Sequence, residues 1–161
     1  MPLRTHHGSK GTTIIELAFV ILPLIMLFCG IIDFGILFFK VHTVQFATRE
    51  GVRLALVGRT LNDPAGNPLS REASIIKMID ENASVGVNPS ELQFSIYPVD
   101  PDTYADPLNW QTTQNAGSPG QYMRVRTRYA YKFITPFIGA FFNNGAFVID
   151  AQATYRNEIF E

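Results

Sequence analysis

The chain has 161 residues, of which 47% are hydrophobic and only 17% charged, and its net charge is −1. That length holds one small domain besides any anchor, and near-neutrality gives no electrostatic case for nucleic acid as a partner. A single cysteine, Cys29, excludes an intrachain disulfide framework.

The first predicted element opens after a short leader that carries Arg4 and Lys10 and ends at Gly11. From there Thr12, Thr13, Ile14, Ile15 and Glu16 lead into an apolar run, 17–39, whose one charged residue is Asp33. A helix over that run measures roughly 35 Å, enough to cross a hydrocarbon core of about 30 Å. Soluble core helices rarely stay apolar on every side for so many turns. The expected division is therefore a leader at 1–11, a transmembrane helix at 12–40 and a folded domain at 41–161.

Glu16 is the odd residue in this design. An ionisable group in hydrocarbon costs at least about 2.5–3.5 kcal/mol and needs a named partner. Cleavage after Gly11 would create a positive α-amino group on Thr12, one helical turn from Glu16, which would neutralise it within the chain or in a neighbour. Glycine at the cut also lets the backbone extend into a protease without a side chain in the way. A secretory signal peptide has a shorter apolar core followed by a small-x-small cleavage site, and Phe38, Phe39, Lys40 and Val41 offer none. A lipoprotein signal is excluded by Phe28 before Cys29. An uncleaved signal anchor stays open as the alternative. Pro23 should remove one backbone hydrogen bond and bend the helix, which neighbours in a membrane can accommodate. Charge does not settle orientation, because Arg4 and Lys10 on one side face Lys40, Arg49 and Arg53 on the other.

Beyond the anchor, Val41, Val44, Ala47, Thr48, Gly51, Val52 and Ala55 recur at helical spacing, with Gln45, Arg49 and Arg53 opposite. The helix should thus continue to a C-cap at Gly58, followed by a loop over 62–68. A second helix, capped by Ser70 or Asn67, carries Glu72, Ile75, Ile76, Ile79 and Ala83 on one stripe. Leu92, Phe94 and Ile96 then alternate with Gln93, Ser95 and Tyr97 as a half-buried strand. Segment 100–120 is polar and turn-rich. Asp100, Asp102 and Asp106 could offer oxygens to calcium, but the loop lacks the glycine and terminal glutamate of an EF-hand, and turn aspartates usually bond their own backbone. Trp110 is expected to cover the small core.

Two strands close the chain. Over 122–132 an apolar face alternates with Arg124, Arg126, Arg128 and Lys132, and over 147–155 Phe147, Ile149, Ala151, Ala153 and Tyr155 alternate with Asp150, Gln152 and Thr154. The basic face is expected to be a solvated outer surface, with Asp150 a candidate cross-strand partner for the arginines. Between the strands, 133–142 is apolar but too short to span a bilayer. It should either fold onto the sheet or dip into the membrane surface.

The junction of Gly11 with Glu16 resembles that of bacterial type IV pilin-like precursors. Glu16-Leu17-Ala18-Phe19, Pro23, Gly30, Asp33-Phe34-Gly35 and 47–53 (Ala-Thr-Arg-Glu-Gly-Val-Arg) are similar to the signature of TadE-like proteins, minor pseudopilins of the tight-adherence (Tad, Flp pilus) system. Tyr155-Arg156-Asn157-Glu158 also resembles the way many such chains end. The resemblance implies cleavage after Gly11 by a prepilin peptidase, with Glu16 meeting the new amine. It also implies an inner-membrane subunit with a cytoplasmic N-terminus and a periplasmic domain, acting with other pilins and the Tad machinery in adhesion and secretion. Asp33, Gly35, Arg49, Glu50, Gly51 and Arg53 become candidate subunit contacts. Thr12 departs from the bulkier apolar residue with which mature pilin-like chains often begin.

The residue inventory does not suggest an enzyme. His6 and His7 lie in the leader and His42 at the membrane boundary, and no nucleophile elbow, phosphate loop or metal-ligand spacing is present. Neither a cofactor nor a small-molecule substrate is expected. The expected protein is α+β: a long N-terminal transmembrane helix continuing into a pilin-like domain with an antiparallel sheet of about three strands. The competing reading is an uncleaved, membrane-tethered binding module.

Overall fold

A computed structural model describes residues 10–159, and side chains from residue 13 onward. Arg4 and most of the expected leader, 1–9, lie outside the described residues. The first element, α1 (Lys10–Leu56), is one unbroken helix that runs through the apolar stretch and into the domain. Pro23 sits inside it and donates no backbone hydrogen bond. Every residue over 13–28 is exposed, as expected of a helix whose surrounding medium is not protein.

From Asp33 onward α1 becomes the spine of the domain, with Asp33, Leu37, Val44, Ala47, Thr48, Gly51, Leu54 and Ala55 buried on one face. That is the stripe predicted from spacing, begun earlier than the spacing alone showed. It ends where Gly58, at φ 68°, donates its N–H to the Ala55 carbonyl. The positive φ is why glycine serves here.

The second helix, α2 (Arg71–Ala83), starts at Ser70, whose hydroxyl accepts the Ala73 N–H at 3.1 Å. Asn67, the other predicted cap, instead bonds Asp63 in the preceding turn. α2 packs Ile75, Ile79 and Ala83 against α1. Gly51 is what lets the helices come so close. A Cβ there would fall inside the van der Waals envelope of Ile79 and 3.3 Å from the Ile75 carbonyl oxygen.

Three strands form one antiparallel sheet, β1 (Gln93–Pro98), β2 (Tyr122–Lys132) and β3 (Ala146–Arg156), in that order. Ile96 lies opposite Val125, which lies opposite Ala153; Arg128 lies opposite Asp150. The apolar face of β2 and β3, including Met123, Val125, Tyr129, Tyr131, Ile149, Ala151 and Tyr155, closes the core against α1. The fold is thus the α+β arrangement anticipated, a long apolar helix followed by a domain with a three-stranded antiparallel sheet.

Two expectations about the sheet need correction. β1 is not half-buried, because Ser95 and Tyr97 are as fully covered as Ile96. The basic face of β2 is likewise no open surface. In both cases the cause is the 99–121 segment, which folds back over the outer face and adds a bridge between Gln114 and Ile96.

Candidate functional site

Three features of α1 could act on something outside the chain: its bare N-terminal half, the point where the domain grips it, and the motif 47–53.

In the bare half, Glu16 is exposed among Ile14, Ile15, Leu17 and Phe19. Gly11 and Thr12 fall in the first turn of α1, where backbone N–H groups have no intrahelical acceptor and the helix opens most readily.

The grip is centred on Asp33, which is 1% exposed. One carboxylate oxygen accepts the Tyr131 hydroxyl at 3.1 Å and the Ile134 N–H at 3.0 Å, and the other accepts the Thr135 N–H at 2.9 Å. Asp33 therefore ties the end of β2 and the chain after it to the anchor helix. About two turns further on, Lys40 donates to the Gly86 carbonyl at 3.1 Å and to the Tyr129 hydroxyl at 3.2 Å, and lies over the rings of Tyr129 and Tyr131. Tyr131 stands between the two charges, and burial followed by the Asp33 bond pushes its hydroxyl up to about 12.

The segment after β2 holds a short helix, α3 (Pro136–Gly139), and returns to β3 through a turn at Asn143–Gly145. Its inner side packs on α1, with Ile138 Cδ1 3.7 Å from where a Cβ on Gly30 would sit. Phe133 stacks on Phe142 and meets Phe34 and Tyr131 edge-on. Ile134, Phe137 and Phe141 stay exposed, the two phenylalanines facing α1 across a groove. Between this hairpin and α1 lies an apolar groove of about 760 Å³, reaching from Met26 and Leu27 up to Phe38.

The motif residues separate by position. Gly51 is buried at the α1–α2 crossing, and Gly35 is exposed with open space around it. Arg49 and Arg53 are exposed, and Glu50 is half-buried. Glu50 and Arg53 line a cleft of about 430 Å³ with Leu54, Val57, Arg59 and Met78. Arg49 lines a smaller one of about 230 Å³ with Asp150 and Gln152. Asp33 and Gly51 thus face inward, and the outward members are Gly35, Arg49, Arg53 and part of Glu50.

The C-terminal motif also serves the fold. Asn157, 2% exposed, donates to the Ala116 and Ser118 carbonyls at 3.0 and 2.9 Å and accepts from Arg71 at 3.1 Å. Arg71 also donates to Gly117 and Ala55, and the Glu158 N–H to Leu56. The motif locks the end of α1 to the start of α2.

Two of the three aspartates that could offer oxygens to calcium, Asp100 and Asp106, are engaged within the fold. Asp100 accepts the N–H groups of Asp102 and Thr103 in its own turn, as turn aspartates usually do. Asp106 faces the sheet, where it accepts the Tyr97 hydroxyl at 2.7 Å and pairs with Arg124 and Arg126. Among the described residues no group of three or more His, Cys, Asp or Glu side chains could hold a metal ion. Trp110 covers the outer face, lying under the guanidinium groups of Arg126 and Arg128 at 4.2 and 4.9 Å and against Tyr97. Sequence reasoning missed the Asp106 cluster because its members sit in a loop and on a strand far apart in the chain.

The described architecture defines a class: one helix long and apolar enough to cross a membrane, near the N-terminus, carrying a small α+β domain. Within that class, the family model of TadE-like proteins matches residues 11–53. The resemblance read from the residues therefore holds over this stretch, and it points to the Tad pilus system. The match begins at Gly11 and ends at Arg53, so it covers the anchor and its extension while the sheet lies outside it. No curated protein and no solved structure matches the chain.

Proposed function

We propose that this chain is a membrane-anchored minor pseudopilin, a structural subunit that assembles with other pilins and the Tad machinery during pilus biogenesis for adhesion and secretion. In this reading it catalyses nothing. It is held in the bacterial inner membrane by a single span, its N-terminus cytoplasmic and its domain periplasmic. A prepilin peptidase cuts after Gly11, and Glu16 then meets the new amine of Thr12 in its own chain or in a neighbour. The observation that carries the reading is the family match, whose first residue is the glycine expected to end the leader. The exposed apolar helix from residue 13 supports it. Arg49 and Arg53, the outward members of the motif, are the contacts offered to neighbouring subunits.

The tethered-module alternative keeps the leader and leaves Glu16 in hydrocarbon without an amine to meet. Glu16→Ala separates the two. Chemical crosslinking in native membranes should show the wild-type subunit joined to other pilus subunits, and this variant cleaved normally but with those crosslinks lost. Unchanged crosslinks in Glu16→Ala would contradict the role given to this carboxylate.

A further inference from the structure

The folded domain and the membrane-crossing stretch overlap along α1 instead of meeting end to end. A span needs about 20 residues, and every window of that length within 13–39 includes 20–32. The hairpin after β2 packs beside part of that shared interval, with Ile138 at Gly30 and the groove floor reaching down to Met26 and Leu27. Gly30 lies roughly 15 Å along the helix before Lys40, the first cation after the span. A helix that crosses a bilayer in this way carries the hairpin to hydrocarbon depth.

The hairpin is built for that depth. Its exposed apolar side chains are Ile134, Phe137 and Phe141, at 68%, 52% and 74%, the two phenylalanines lining the groove. Its backbone is also largely satisfied from within, the condition hydrocarbon imposes. The N–H groups of Ile134 and Thr135 go to Asp33, and that of Phe133 to the Gly145 carbonyl. Those of 138–142 each reach a carbonyl three or four residues back, and Pro136 has none to satisfy. Lys132 at the end of β2 is exposed, a cation suited to a headgroup phosphate. Resting on the membrane-anchored reading above, we propose that the 133–142 hairpin is a wedge inserted into the leaflet on the domain's side, with lipid acyl chains filling the groove between it and α1. Asp33 is then the pin that holds the wedge to the anchor and satisfies its backbone away from water.

The test is nitroxide accessibility in the full-length chain, reconstituted in phosphatidylcholine–phosphatidylglycerol vesicles. With Cys29→Ala as background, a spin label is placed through Phe141→Cys and, separately, Ile134→Cys. Leu22→Cys marks the span, and Val85→Cys, at an exposed turn after α2, marks water. Oxygen should relax the hairpin labels more than a water-soluble nickel chelate does, in the same sense as at Leu22→Cys and opposite to Val85→Cys. A nickel-dominated profile at both hairpin positions would overturn the wedge while leaving the anchor intact. Low access to both reagents, relieved on dilution with unlabelled chain, would overturn it in favour of a second copy covering the groove. A nickel-dominated Leu22→Cys would instead remove the membrane-anchored reading itself.

Discussion

Asp33 shows how a charged residue in an apolar helix becomes tolerable. Its three donors come from one side, Tyr131, Ile134 and Thr135, and a carboxylate accepting several hydrogen bonds is stabilised as the fold closes around it. Replacing it with alanine strands all three. At roughly 1–3 kcal/mol for each buried donor left unmade, and less than additively, Asp33→Ala should cost about 3 kcal/mol or more. In detergent micelles the variant should melt at lower temperature and be cut by chymotrypsin within 131–142 under conditions where the wild-type chain resists. An unaltered melting temperature and cleavage pattern would contradict the pinning role. The sequence marked Asp33 as the one charge in the run and as part of a motif. Its partners were invisible there because they lie 98–102 residues away and two of them are backbone groups, which carry no sequence signature. Gly51 was equally visible as a motif residue, but its reason, the crossing of α2 at Ile79, required the fold.

At the scale of elements, period and alternation located the domain half of α1, α2 and all three strands, although β1 is covered on both faces. Alternation alone could not say what covers the other face. The 99–121 segment has no periodicity, yet it converts the basic stripe of β2 into a half-buried layer held by Asp106 and Trp110. Burial opposes ionisation of Asp106, but bonds from Tyr97 and Arg124 and the charges of both arginines outweigh it and hold its carboxyl below the usual value of 3.8. Because its pKa is lowered on folding, Asp106 contributes stability above the unfolded value, and that contribution is lost as pH falls through the folded one. Trp110 is the chain's one tryptophan and reports on this contact directly. Its fluorescence should change on acidification with a midpoint below about 3.9, the ordinary aspartate value. Asp106→Asn should abolish that step. A midpoint at or above the ordinary value, or a step that survives in Asp106→Asn, would contradict the assignment.

Across the whole molecule, one helix does two jobs. Its first half is bare and apolar, and its second half is the spine on which α2 and the sheet pack. Composition and length were enough to recognise the anchor. The place where the domain begins was not legible, because the apolar run continues to Phe39 without a break while the fold already grips it at Asp33. The family match confines the recognised part of the chain to 11–53, the apolar helix and its extension into the domain. The sheet and its covering loop lie outside that match, and packing accounts for their form.

The claim on which the functional account turns is removal of the leader. The most direct measurement is the N-terminal mass of the protein isolated from membranes of cells with and without the cognate prepilin peptidase. The expected result is a chain that begins at Thr12 only when the peptidase is present, and retention of 1–11 when Gly11 is replaced by a bulkier residue. A chain that keeps its leader in both strains would contradict it and leave a tethered binding module as the better description.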